Sequence, residues 1–166
     1  VLAAIGAVAP DASVAQEQGS GWPPILAGVH AGWDRNSTGS VVGAQIRIPA
    51  FPTGHLEIVP NGDITFLTGL KEYQYGADAV LVSGGRRGGV FAGGGFGWRN
   101  TIFDGPERET RRAATAVVGA RSGTLFGAPF GTQIEMRWTF LDGPLKPRML
   151  TLGVNFPLWG RGEGRR

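Results

Sequence analysis

Thr151-Leu152-Gly153-Val154-Asn155-Phe156-Pro157-Leu158-Trp159 is the stretch whose reading decides the fold. Counted by twos from the residue before it, Leu150, Leu152, Val154, Phe156 and Leu158 share one face of a strand. Thr151, Gly153 and Asn155 share the other. Successive side chains of a strand point to opposite faces. A segment that is apolar on one side, polar or tiny on the other and aromatic at its end has the pattern of a strand separating hydrocarbon from a polar interior.

The same rhythm runs upstream. Alternation predicts strands over about 25–33, 40–48, from near His55, then over 72–82, 90–102, 111–121 and 132–141, with the quoted segment as the eighth. Between them lie stretches rich in Gly, Pro, Asn and Asp, the residues that favour turns. These are 34–39, 49–54, Pro60-Asn61-Gly62-Asp63, 83–89, 103–110, 122–131 and 142–147. Residues 64–70 read either as strand extension or as loop, so the third connection is placed at 60–71. A tilted strand of about 9–11 residues crosses a bilayer. An open sheet edge in hydrocarbon would leave backbone groups unpaired at several kcal/mol each, so such a sheet must close. The predicted fold is all-β: an eight-stranded antiparallel up-and-down transmembrane β-barrel.

Bulk composition agrees. The 166 residues fit one domain, with 29 Gly and 11 Pro to weaken helices. No apolar run reaches the roughly 18 residues of a membrane-spanning helix. Net charge is +3, with basic residues scattered apart from Arg86-Arg87, Arg111-Arg112 and Arg165-Arg166. A nucleic-acid surface needs a basic face with interleaved aromatics, and none is apparent. The chain has no Cys, which excludes disulfides and thiolate metal sites. Two histidines and scattered acids lack metal-ligand spacing, so neither metal nor cofactor is expected. Gly93-Gly94-Gly95-Phe96-Gly97 lies inside an alternating strand and lacks the Gly-Lys-Ser/Thr ending of a phosphate loop. At the start, apolar 1–9 followed by Ala12-Ser13-Val14-Ala15 reads as the back half of a secretory signal peptide cleaved after Ala15. The expected organisation is a partial signal peptide at 1–15, a flexible segment at 16–21, the barrel at 22–159 and a tail at 160–166.

The C-terminal segment also resembles the targeting signal of bacterial outer-membrane barrels: polar, any, Gly, any, any, aromatic, any, hydrophobic. Thr151, Gly153, Phe156 and Leu158 fill those places, with Trp159 next to them. With the export-like start and the eight-strand rhythm, residues 22–159 resemble the small outer-membrane β-barrels of Gram-negative bacteria, of the OmpA/OmpX type. The chain departs from that pattern in continuing through Gly160–Arg166 and in carrying Pro157 inside the last strand. The resemblance implies a cell outer membrane location, with both termini and the turns near 49–54, 83–89 and 122–131 in the periplasm. The connections near 34–39, 60–71, 103–110 and 142–147 would face outward and include the longer, more charged segments. Outer-membrane lipids, lipopolysaccharide and the barrel-assembly machinery are the implied partners; a ligand for the loops is not identified.

The polar faces hold His30, Gln45, Arg47, Glu57, Asp78, Arg99, Arg121, Gln133, Glu135, Arg137 and Asn155. Eight strands leave an interior that side chains just fill. Glu57, Asp78 and Glu135 are therefore expected to meet Arg47, Arg99, Arg121 and Arg137 in a plug of ion pairs across the lumen. Trp33, Tyr73, Tyr75, Trp98 and Trp138 are expected in interfacial girdles near strand ends. This describes a non-enzymatic protein serving envelope integrity or loop-mediated binding and adhesion. Two alternatives remain. A soluble lipocalin-like barrel binding an apolar ligand would invert the two faces. A lipid A-modifying barrel enzyme would need a histidine beside a Ser and an acid near the outer leaflet, whereas His30 is predicted inside and His55 at the periplasmic rim.

Overall fold

Alternating stretches become strands because that geometry gives each of the two chemical faces its own solvent. The computed structural model describes residues 22–84, 88–103, 108–123, 130–141 and 146–159. The signal-like start, the 16–21 segment, the 160–166 tail and parts of the turns at 83–89, 103–110, 122–131 and 142–147 lie outside the described residues. Eight strands follow one another: β1 (Ile25–Asp34), β2 (Gly39–Pro49), β3 (Leu56–Leu67), β4 (Leu70–Val82), β5 (Gly88–Phe103), β6 (Arg108–Ser122), β7 (Gly131–Leu141) and β8 (Arg148–Trp159). Each pairs antiparallel with its sequence neighbour, and β8 returns to β1, so the sheet is a closed barrel.

The register fixes how far the barrel is sheared. One row of partners runs Asp34, Met149, Arg137, Val117, Gly93, Val80, Glu57, Pro49. Continued in the β1–β2 register, it reaches position 24, ten residues back along β1 from Asp34. For eight strands at about 4.8 Å spacing and about 3.3 Å per residue, that stagger tilts the strands by about 40°.

The outward face is apolar and the inward face is polar. Leu152 is 64% exposed on β8, while Arg47 on β2 is 1% exposed. Val29, Ile46, Ile58, Leu81, Phe96, Val118 and Ile134 are likewise exposed on the outer wall. This order overturns the soluble lipocalin-like alternative, which needs apolar side chains inside. In water such a wall would expose far more contiguous apolar surface than the few hundred Å² a monomeric soluble protein tolerates. Among the described residues, Val59, Val80, Val82, Phe91 and Val117 form an apolar cluster inside. It sits toward the end where β1 begins, here the near end.

One predicted turn is wrong. Pro60-Asn61-Gly62-Asp63 lies in the middle of β3, not between strands. The reversal comes at Thr68–Gly69, where Gly69 takes the left-handed position at φ 78°. Turn propensity lost to parity: Val59, Asn61, Asp63 and Thr65 continue the inward face that Glu57 begins. The proline leaves its mark on the ladder. Gln45 pairs with Asn61 and Ile48 with Ile58, but no pairs form between them, because Pro60 has no N–H to donate. Pro157 sits opposite Leu26, where the β1–β8 register shifts at a bulge.

The connections at the far end span 35–38, 68–69, 104–107 and 142–147; those at the near end span 50–55, 83–87 and 123–130. The longest lies at the near end. The expectation that longer segments gather at the far end is therefore not met, because β3, β5 and β6 extend into residues that had been read as loop.

A closed barrel resists detergent until it is boiled. The refolded chain is expected to migrate differently on a gel with and without boiling. Identical mobility, with the protein monodisperse once detergent is removed, would contradict a wall turned toward hydrocarbon.

Candidate functional site

The inward parity of the strands gathers charge on the barrel axis. Glu57 on β3 accepts from Arg47 Nη1 at 3.1 Å and pairs with Arg121 Nη1 at 2.8 Å. The Arg47 guanidinium also lies 4.4 Å from the Phe91 ring centroid, so the apolar cluster below it holds a cation–π contact. Arg47 Nη2 reaches Glu135 at 3.5 Å and so links this layer to the next.

Arg137 is the hub of the middle layer. Its guanidinium pairs with Glu135 at 2.9 Å, Asp78 at 3.1 Å and Asp63 at 3.4 Å, and donates to Asn61 Oδ1 at 2.6 Å. Asn61 in turn donates to Asp78 Oδ2 at 2.8 Å, and Thr115 donates to Oδ1 of the same carboxylate. His30 Nε2 lies 2.6 Å from Asp63 Oδ1. Beside this layer Gln133 Oε1 accepts from Gln45 Nε2 at 2.7 Å and from Asn155 Nδ2 at 2.9 Å.

The far layer centres on Arg99. It pairs with Glu72 and with Asp34, the latter at 3.4 Å, and donates to Gln74 Oε1 at 3.2 Å. Thr139 donates to that same Gln74 oxygen at 3.2 Å. Asp34 does two tasks. Its Oδ2 faces Arg99, while its Oδ1 accepts the backbone N–H of Asn36 at 3.0 Å and of Arg148 at 3.3 Å. At the far rim Arg111 donates to both carboxylate oxygens of Glu109, from Nε at 2.8 Å and from Nη2 at 2.7 Å.

All seven residues expected in the lumen network, namely Arg47, Glu57, Asp78, Arg99, Arg121, Glu135 and Arg137, take part in ion pairs inside. Among the described residues the network also contains Asp34, Asp63 and Glu72, which sequence reading placed in turns or left unremarked. The signal that could have found them is parity: Asp34 continues the Gly28, His30, Gly32 face, and Glu72 precedes Gln74 and Asp78 by twos. With those three acids, charges this deep in a low dielectric each find opposite partners, which is the condition for tolerating them.

Glycines make the room. A Cβ on Gly43 would strike both Asp63 and His30; one on Gly28 would strike Asn155 and come within 3.2 Å of Gln45 Cγ. Gly153 of the terminal motif has such a role, because a Cβ there would lie 2.8 Å from His30 Cβ. Thr151 is buried inside, whereas Phe156 and Leu158 are exposed on the outer wall. The Trp159 side chain lies outside the described residues.

The predicted aromatics all face outward toward the far end. Trp33, Tyr75 and Trp98 are exposed, Tyr73 and Trp138 half-buried, and Tyr75 stacks on Trp98 at 5.7 Å between centroids. Phe66 and Phe140 join them. A second group, Phe51, Phe130 and Phe156, marks the near end, with Phe130 and Phe156 at 6.0 Å. With the tilt above, the two bands lie about 20–25 Å apart along the axis. His55 lies at the near end with Nδ1 3.1 Å from the Val82 carbonyl oxygen.

No protein-family model matches the chain, and no curated protein matches it. Solved structures do. The crystal structure of the N-terminal beta-barrel domain of Pseudomonas aeruginosa OprF superposes with a TM-score of 0.66 at 16% identity, covering 82% of this chain and 98% of that one. The crystal structure of Neisserial surface protein A (NspA) superposes with a TM-score of 0.58 at 12% identity, covering 81% and 94%. At these identities the likeness establishes a shared fold, the eight-stranded barrel.

Removing the hub charge takes a cationic partner from Glu135, Asp63 and Asp78 at once. Arg137→Met is expected to destabilise the folded barrel by about 3–5 kcal/mol, the cost of breaking a buried pair from one side. Arg111→Met, at an exposed pair, is expected to leave the urea midpoint in detergent unchanged. Equal midpoints for the two variants would refute the hub assignment.

Proposed function

We propose that this chain is an integral outer-membrane protein whose barrel is sealed by its own side chains and serves the integrity of the envelope. The observation that carries this reading is the inversion of faces: apolar wall outward between two aromatic bands, guanidiniums and carboxylates inward. A hydrocarbon layer fits that wall, and the separation of the bands fits the roughly 25 Å apolar belt of outer-membrane barrels. The far end faces the outer leaflet and the near end the periplasm, as both ends of the barrel's chain path, at β1 and β8, lie there.

The sealed lumen follows from the pairings. Arg47, Glu135 and Arg137 join across the interior from β2 and β7, and Asp63 and Asp78 complete the layer from β3 and β4. The far layer around Arg99 lies above it. An ion passing the axis would have to part these pairs. The non-enzymatic part of the proposal rests on the histidines. His30 is enclosed with Asp63, and His55 sits at the near end, so neither offers an acid–base pair to the outer leaflet. The far-end connections are short, with only two residues between β3 and β4. This favours a role of the barrel itself over adhesion through long loops. Thr151, Gly153, Phe156, Leu158 and Trp159 supply the signal to the barrel-assembly machinery in this reading, with Phe156 and Leu158 presented on the outer wall of the closing strand.

Two experiments test it. In planar bilayers the intact protein is expected to carry no steady current, while Arg47→Ala/Glu57→Ala/Arg137→Ala opens a measurable one; sustained conductance by the unaltered chain would refute sealing. The sequence has no Cys, so Thr68→Cys can be labelled cleanly. A membrane-impermeant maleimide is expected to label it on whole Gram-negative cells. Labelling only after the outer membrane is permeabilised would reverse the orientation or remove the protein from that membrane.

A further inference from the structure

Among the described residues the lumen holds one histidine, His30, and the register builds a niche for it. Directly opposite it stand Gly43 on β2 and Gly153 on β8. A Cβ on the first would strike Nε2 of the ring, and one on the second would strike the Cβ of His30. With bare backbone on both sides, the imidazole reaches across to Asp63 on β3, where Nε2 lies 2.6 Å from Oδ1. Asp63 has one other cationic partner, Arg137 on β7, at 3.4 Å. The remaining charged groups of this layer are Glu135 on β7 and Asp78 on β4, both paired with Arg137. On the flanking strands the inward neighbours Gln45, Thr151 and Asn155 carry no charge. Arg47 and Asp34, farther along β2 and β1, turn to Glu57 and Arg99.

The middle layer is short of positive charge. In the near layer Glu57 has two guanidiniums, those of Arg47 and Arg121. In the far layer Asp34 and Glu72 share Arg99, and the Glu72 side chain is 13% exposed toward the mouth, where water reaches it. In the middle layer the side chains of Asp63 and Asp78 are each 2% exposed and share Arg137 with Glu135. Carboxylates enclosed this far need a cation each to be tolerated. We propose that His30 supplies the missing one: its ring binds a second proton and, as an imidazolium, is the counter-charge of Asp63. The 2.6 Å contact fits this state. Charge-assisted N–H···O bonds run to about 2.7–2.9 Å, neutral ones to about 2.9–3.0 Å. The proton also has a place to go. With Nε2 donating to Asp63, the free lone pair is on Nδ1, which is buried and has no hydrogen-bond partner among the described residues. A charged His30 leaves Arg137 to Asp78 and Glu135, so that one proton decides how firmly the layer holds together. Histidine is the side chain whose charge ordinarily changes between about pH 5 and 8. His30 is thereby the pH-sensitive member of the plug.

This proton belongs to the folded barrel whichever membrane holds it, so its test stands apart from conductance and from labelling at position 68. The full chain, folded in detergent, is unfolded with urea at pH 6 and at pH 9. A proton bound by the folded chain and not by the unfolded one changes the unfolding constant by up to about tenfold per pH unit. The imidazole of an unfolded chain is uncharged above about pH 6.5, so the stabilisation is whole at pH 6 and fades as the pH rises. The unaltered protein is expected to unfold about tenfold or more readily at pH 9 than at pH 6. His55→Gln is expected to keep that difference, because His55 lies at the near end against the Val82 carbonyl. His30→Gln and Asp63→Asn are expected to lose it. Should His30→Gln fail to fold, His55→Gln carries the test by nitrogen NMR, since the sequence has two histidines and His30 is then the sole one. Its ring is expected to show two N–H groups at pH 6. Equal stability of the unaltered protein at both pH values would overturn the proposal. So would a pH difference that survives in His30→Gln, or a neutral ring at pH 6.

Discussion

A barrel wall one residue thick forces every side chain to choose between two solvents, and the rest of this structure depends on that choice. Closure of β8 on β1 satisfies the backbone ladders and removes both sheet edges. Once the sheet is closed, parity alone assigns each residue to the lumen or to the outer wall. A slip of one residue in any strand would turn its carboxylates and guanidiniums outward and its leucines inward. The penalty for such a slip is large on both faces at once, so the register is strongly specified despite the many glycines.

The interior then becomes a problem of volume and charge together. The ten-residue stagger sets a bore that four arginines, six carboxylates and a small apolar cluster occupy. Long guanidinium side chains fill space as well as carry charge, and Arg47 does both by lying between Glu57, Glu135 and the Phe91 ring. The glycines are the complement of that filling. Gly28, Gly43 and Gly153 stand where a methyl group would collide with the amide cluster or with His30 and Asp63. Their use here is to let polar side chains cross a narrow bore, more than to let the backbone bend.

Much of this was legible by counting in twos. The eight strands, the apolar outer face of β8, the inward residues Arg47, Glu57, Asp78, Arg99, Arg121, Glu135 and Arg137, and the outward aromatics all follow from alternation. What failed was local turn chemistry. Asn61, Gly62 and Asp63 favour a reversal when read alone, but inside β3 they supply a donor, a gap and a carboxylate to the lumen. Asp34 was hidden in the same way, since its side chain caps a turn and holds Arg99 together. The partner of each charge was not legible at all. Arg137 meets Asp63 and Asp78 from the opposite side of the barrel, and that meeting depends on the stagger, which no single strand encodes.

The two ends of the barrel differ, although the alternation that builds them is the same. At the near end the interior sets an apolar cluster around Phe91 beside the Glu57–Arg121 pair, and the outer wall among the residues whose side chains are described carries aromatics without charge. At the far end the interior stays charged up to Asp34, Glu72 and Arg99, and the outer wall adds Lys71, Arg112 and Arg148. Ion pairing across the lumen needs neither difference, since the middle layer around Arg137 already spans it. Anchoring in hydrocarbon does not need them either, since both aromatic bands are complete without cations. The asymmetry is therefore additional to both tasks.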